Sequence, residues 1–350
     1  LRIQLPKSKL GKHGVSFIVK NKLGVYGSPL TWHDPNAERR LTEMDVDITF
    51  SSIEHKLIAQ VKTNGFTSGN TSLRILKEDE YISIPLTKIQ PTVYTSDLLL
   101  PSLFTKTKRI DAFFDGEIER IIQVNLDPIV ASPSKQTSIV SNDKNCSIQI
   151  TNTSLYDTSL VWIEKINHPV EPKGGTRLSS VYQLQPFELA LKDTIRIGIR
   201  YSNHIKNMKN ISLYYYNQKD GWTFLPSSMH TNRQVIASTL FSLDAITIMQ
   251  DIEPPFIRKV YPENRGRFHY KDLKTISVIA DDYLSGLNSD EKSMNMKLDD
   301  IPVRYAFQPI KKELSYYLPT PLEAGEHTME YKISDQAGNT ISGMSTFMVD

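Results

Sequence analysis

The sequence predicts an all-β chain of tandem β-sandwiches. Apolar residues alternate with polar ones in many short runs, turn residues separate those runs, and no long stretch keeps a helical period. Residues 276–280 read Ile-Ser-Val-Ile-Ala and put Ile276, Val278 and Ala280 on one face. Met329, Tyr331 and Ile333 alternate with Glu330 and Lys332 in the same way, and residues 57–61, 195–199 and 245–248 are further runs of this kind. β-branched and aromatic residues, with 16 Tyr and 13 Phe, suit half-buried pleated surfaces. Asp115-Gly116 and Asp220-Gly221 fall between strand runs and predict hairpins, because both residue types tolerate positive φ. Residues 38–44 hold one short helical turn at most.

Composition bounds the function. At roughly 100–150 residues per domain, 350 residues make two to four domains. A hydrophobic fraction of 39% and a charged fraction of 23% allow each a core. A net charge of +2, with Lys and Arg scattered, argues against a nucleic-acid or anionic-membrane partner. The lone cysteine, Cys146, forms no internal disulfide. No apolar run reaches the ~18 residues of a membrane helix. The chain opens Leu1-Arg2-Ile3-Gln4-Leu5, with neither an initiator Met nor a signal pattern. The expectation is a piece that starts within a domain, with any export signal or anchor outside it.

A repeat and two proline-marked linkers divide the chain. Gly11-Lys12-His13 leads through Val15, Phe17 and Val19 to Asn21 and Gly24, and Gly325-Glu326-His327 leads through Met329, Tyr331 and Ile333 to Asp335 and Gly338 at a constant offset. The first copy reads as the last hairpin of a module that begins upstream. Asp251-Ile252-Glu253-Pro254-Pro255 and the stretch from Asp127-Pro128 to Pro133-Ser134 are linkers, since a Pro pair cannot continue a ladder. Modules are therefore expected at 1–35, 36–133, 134–252 and 253–350.

The last module is the clearest, with strands expected at 256–260, 275–280, 294–298, 303–307, 314–318, 327–334 and 340–349. Seven strands is the count of an immunoglobulin-like or fibronectin-like sandwich. Lys311, Lys312 and Glu313 are placed to guard an edge.

Asp281-Asp282-Tyr283-Leu284-Ser285-Gly286-Leu287, Leu298-Asp299-Asp300, Pro321-Leu322 with Gly325-x-His327, and Asp335-Gln336-Ala337-Gly338-Asn339 together resemble a bacterial immunoglobulin-like module. Asp300 stands where that family usually has Gly. Upstream, Gly174-Gly175, residues 179–186, Tyr214 to Tyr216, Asp220-Gly221-Trp222 and residues 241–245 run into the Asp251 to Pro255 linker. That order resembles the β-rich region after the catalytic domain of lysostaphin-type peptidoglycan zinc endopeptidases. The resemblance implies a non-catalytic C-terminal tail of an extracytoplasmic protein, in the periplasm or at the cell surface. Its partner would be an upstream catalytic domain of the same chain, with peptidoglycan or another glycan as a second partner class. The family's H-x-H and H-x-x-x-D zinc site has no counterpart here.

Candidate chemistry is sparse. None of the eight histidines lies two or four residues from another, so no local zinc pair is encoded. The repeat position of His13 and His327 favours a structural role in a turn. Asp281, Asp282, Asp335 and Asn339 are calcium candidates at one end of the last sandwich, although ordinary turn chemistry is the favoured reading of them. Gly65-Phe66-Thr67-Ser68-Gly69 lacks the spacing of a nucleophile elbow. Cys146 reads as a packed side chain, and Glu78-Asp79-Glu80 and Asp290-Glu291 as solvated acids. No cofactor fingerprint is present. If Tyr214 and Tyr216 face the core, Tyr215 faces out, and Tyr215 with Trp222 becomes the binding candidate, although core packing with cross-strand pairs is the favoured reading of this hairpin. The sequence thus supports a non-enzymatic accessory or scaffold region. An adhesin-like or carbohydrate-binding module is the alternative, and an enzyme with an unfamiliar site the remote third reading.

Overall fold

The computed structural model describes residues 15–17, 30–32, 46–53, 56–64, 69–78, 80–115, 120–124, 127–187, 189–205 and 207–350. Among these residues there are strands and short 3-10 turns but no α-helix, as the alternating pattern requires. Among the described residues, no helix is long and apolar enough to cross a membrane. The chain divides into two compact units, one made of 1–51, 57–99 and 107–126, the other of 52–56, 100–106 and 127–350.

In the first unit Val15–Phe17 pairs antiparallel with Leu30–Trp32. Apart from Val15–Phe17, the first repeat copy, His13 included, lies outside the described residues. A separate seven-stranded sheet runs in the order Val46–Ile53, Lys56–Thr63, Val93–Ser96, Glu80–Gln90, Asn70–Lys77, Thr107–Asp115 and Arg120–Val124. The sequence predicts a β-sandwich module for 36–133; the strands described there hydrogen-bond in one continuous order. Its buried face is built by alternation: Leu73 and Ile75 lie opposite Ala112 and Ile110, and all four are buried. On the other parity Asp111 is buried too, held by Arg109 at 2.9 Å and by the Tyr81 hydroxyl at 3.2 Å.

In the second unit, residues 129–251 form a two-sheet sandwich. One sheet orders Ile129–Ala131, Ser159–Ile166, Val181–Gln185, Ile246–Asp251, Ile211–Asn217 and Gly221–Leu225, with Gly175–Arg177 also paired to Ile246–Asp251. The other orders Thr137–Val140, Cys146–Ile150, Ile195–Arg200, Val235–Leu240 and Ser228–His230. Ile148, Ile150, Ile197 and Ile199 pack with Val161, Ile163, Leu184, Leu213 and Ile248. Cys146 belongs to this core, and burial pushes its thiol pKa well up.

Residues 256–349 form a second sandwich. Phe256–Tyr261, Thr275–Asp281, Glu313–Tyr317 and Ala306–Gln308 make one sheet; Arg267–Phe268, Thr340–Val349, Gly325–Ser334, Met294–Leu298 and Ile301–Pro302 make the other. Ile276, Val278, Ala280 and Leu314 meet Met294, Met296, Met329, Ile333 and Phe347 in the core. Two strands exceed the seven expected. Arg267–Phe268 and Ile301–Pro302 are each two residues long, too short to show alternation. His327 clips a turn: its ring nitrogens meet the Asp299 carboxylate at 2.7 Å and the Glu323 carbonyl at 2.9 Å.

Candidate functional site

The strand Ile246–Asp251 sends Ile246 and Ile248 into the sandwich core, so Thr247, Met249 and Asp251 point the other way. Tyr214 lies opposite Thr247 in the adjacent strand and therefore shares that outer face. This face is not left to water. Val181, Tyr214, Trp222, Ala245 and Met249 form a second apolar cluster, closed by Leu284 from the loop after Thr275–Asp281. The outer face of one sandwich thus becomes its joint with the next.

The linker is bonded on both sides. The Ile252 and Glu253 backbone N–H groups donate to the Gly174 carbonyl at 3.1 and 3.2 Å. The Ser285 N–H donates to Asp251 Oδ2 at 3.1 Å. Asn339 Nδ2 donates to the Asp251 carbonyl at 3.4 Å, and Asn210 donates to Asn339 Oδ1. The Tyr283 ring stacks on Phe256 with centroids 4.5 Å apart and carries Lys173 Nζ 3.8 Å above it. Gly174 and Gly175 permit this approach. A Cβ on Gly174 would meet Tyr283 Cβ at 2.9 Å, and one on Gly175 would collide with the Leu284 side chain and the Gln250 carbonyl. Pro255 is buried within the linker.

Three carboxylates converge here. Asp251, Asp282 and Asp335 each place an oxygen within 4.8 Å of the others. Asp282 Oδ2 accepts the N–H groups of Leu284 and Gly286 at 2.9 and 2.8 Å, and Asp335 Oδ1 accepts those of Gly338 and Asn339 at 2.6 and 2.8 Å. Burial pushes the Asp251 carboxyl up to about 6; Asp282 and Asp335 add to the rise, and the bonds from Ser285 oppose it. Burial also raises Asp335, against the bonds from Asn339. Burial raises the Tyr214 phenol, and the charges of Asp251, Asp335 and Asp282 raise it further.

The structure brings together two of the four calcium candidates as carboxylates and separates a third. Asp282 and Asp335 are in the cluster, and Asn339 braces it by donating to Asp335 Oδ2 at 2.7 Å. Asp281 is not in it. Strand alternation turns Asp281 away from Asp282, to Lys312 and Arg258. Burial alone would raise the Asp281 carboxyl, but Lys312 and Arg258 outweigh burial and hold it below the usual range. Sequence reasoning missed Asp251, which read as linker, and Tyr214, which read as core. The signal for Asp251 was its place two residues beyond Met249 on one face of a strand.

The aromatic candidates sit differently from the expectation. Tyr215 packs against the main sandwich core, while Tyr214 and Tyr216 take the outer face. Trp222 is 7% exposed and gives its indole N–H to the Val170 carbonyl at 2.8 Å. Its ring meets Tyr216 and His168 edge-on at 5.3 and 4.8 Å. In place of the alternative of an exposed strip, Tyr215 and Trp222 lie on two covered faces, because each face of this hairpin has a partner layer.

No protein-family model and no curated protein matches the chain. Among solved structures, CopC from Methylosinus trichosporium OB3b is similar at 18% identity over 27% of this chain and 93% of that one, with a TM-score of 0.23. Sidekick-1 immunoglobulin domains 1–4 are 13% identical over 87% of this chain and 99% of theirs, at 0.20. A bacterial ice-binding adhesin involved in host cell surface retention is 9% identical over 88% of this chain and 99% of its own, at 0.19. Likenesses this low carry no weight for function, and the all-β class stands on the strands themselves.

Proposed function

We propose that this chain is a non-catalytic, extracytoplasmic spacer that positions a catalytic domain of the same polypeptide, a peptidoglycan metallopeptidase, against its polymer. The observation that supports this reading is the joint at Asp251: the linker has no slack, because its residues are bonded to Gly174 on one side and to Ser285 and Asn339 on the other. A spacer of fixed geometry sets the effective concentration of whatever it carries, where a loose tether spreads it. The order of Gly174-Gly175, the Asp220-Gly221-Trp222 hairpin and the Asp-x-x-Pro-Pro linker supports the peptidase parentage.

Two observations test it. The coding sequence upstream of Leu1 is expected to encode H-x-H and H-x-x-x-D; an upstream region without them contradicts the parentage. The purified 350-residue chain, mixed with insoluble peptidoglycan, is expected to release no fragments. Release of fragments would contradict a non-catalytic role.

A further inference from the structure

The carboxylates at the joint carry charge that their surroundings leave unbalanced. Asp251 and Asp335 are 1% and 0% exposed, and Asp282 is half-buried. Among the described residues, none of the three is ion-paired with Lys or Arg. The neighbouring Asp281 offers the contrast, since the fold gives that single buried carboxylate both Lys312 and Arg258. Backbone N–H bonds to the cluster fix the carboxylates in place but supply no net positive charge.

Turn capping explains those N–H bonds, but it does not explain Tyr214. This residue is 0% exposed, and its hydroxyl is buried without a hydrogen-bond partner. The ring shares the outer face with Asp251, and all three carboxylates act on its phenol. On the face that carries Asp251, the fold thus buries a phenol whose hydroxyl is bonded to nothing. An unpaired buried hydroxyl is costly unless something at that point uses it.

The geometry points to a divalent-cation site of calcium type, formed by Asp251, Asp282 and Asp335 at the joint between the two sandwiches, on the face that also carries Tyr214. Hard oxygen donors suit such an ion, and Ca–O distances of about 2.3–2.6 Å place any two ligands within about 5 Å, the spread found here. Mg²⁺ needs a tighter octahedron and keeps most of its water, so Ca²⁺ binds more strongly. The ion ties the end of Ile246–Asp251 to two loops of the next sandwich. The site stands or falls independently of any catalytic domain upstream.

The test uses the full chain, stripped with EDTA and dialysed. Ca²⁺ binding is followed by titration calorimetry, and Tb³⁺ by luminescence excited through nearby aromatic rings. One saturable equivalent of Ca²⁺ is expected, with Ca²⁺ displacing Tb³⁺. Asp251→Asn and Asp335→Asn are expected to weaken binding at least about tenfold. Tyr214→Phe is expected to retain Ca²⁺ binding with less sensitised emission, and Asp281→Asn to change neither. No saturable binding to the unaltered chain, or affinity unchanged in both Asp251→Asn and Asp335→Asn, overturns the site. If those two variants fail to fold, the half-buried Asp282→Asn decides: at least tenfold weaker binding supports the site, and unchanged affinity overturns it.

Discussion

The Asp251 carboxylate accepts the Ser285 backbone N–H at 3.1 Å, across 34 residues of sequence and from one sandwich to the next. Both residues are buried, so neither group has water as an alternative partner. Leaving a buried donor unsatisfied costs about 1–3 kcal/mol. Asp251→Ala is therefore expected to speed amide exchange at Ser285 by roughly tenfold or more, since about 1.4 kcal/mol is a factor of ten. Hydrogen exchange by NMR or mass spectrometry reads this directly. Exchange at Ser285 unchanged from the unaltered protein would show that this bond does not hold the joint.

The joint also depends on having no side chain at residue 175. Gly175→Val would drive a Cβ to 2.6 Å from the Gln250 carbonyl and into Leu284. Overpacking of this kind costs about 1–3 kcal/mol. Chemical denaturation is expected to show that loss. A substitution at Gly221, where an added Cβ meets nothing within 4 Å, is expected to act only through its positive φ of 76°.

Much of this architecture was legible in the sequence, and the exceptions have physical causes. Ile276, Val278 and Ala280 announced a core strand because burial on one face imposes a period of two, and all three are fully buried. The Asp-Gly hairpin at Gly221 was legible because it needs the left-handed backbone that glycine supplies. The continuous pairing from Val46–Ile53 to Arg120–Val124 was not legible, because alternation tells which side chains are buried but not which strands pair. Which of Tyr214 and Tyr215 faces the main core was not legible either. Both faces of that hairpin are apolar-compatible, and the outer one is covered by His168 and Val170 together with Leu284 from the next module. The cluster at Asp251 joins residues 84 positions apart, a relationship that local spacing does not carry.

His327 makes the last sandwich sensitive to pH. Burial works against its charged form, but the Glu323 carbonyl and the Asp299 carboxylate outweigh it and raise the pKa above the ordinary 6.5. A group whose pKa rises on folding contributes its full stability below the unfolded value and loses it as pH climbs through the folded one. Stability of residues 253–350 is thus expected to decline from about pH 6.5 upward. Asp299→Asn is expected to flatten that decline. Denaturation midpoints measured between pH 6 and 8 in the two proteins check this, and parallel slopes would assign the decline elsewhere.

Cys146 reports on the first sandwich of the second unit. It is 1% exposed among Ile148, Ile150, Ile197 and Ile199, and its thiol is held protonated by burial. A thiol reagent is expected to modify it only when this core opens. The labelling rate should rise with denaturant in step with unfolding, as followed by mass spectrometry. Rapid labelling in native buffer would contradict the packing described.

Residues 129–251 and 256–349 are expected to move as one body, because Asp251, Ser285, Asn339 and Leu284 join them. Residual dipolar couplings from the two sandwiches, measured in one weakly aligned sample of the full chain, test it most directly. A single alignment tensor fitting both sets is the predicted result. Two tensors of different magnitude or orientation would show independent motion and contradict the claim.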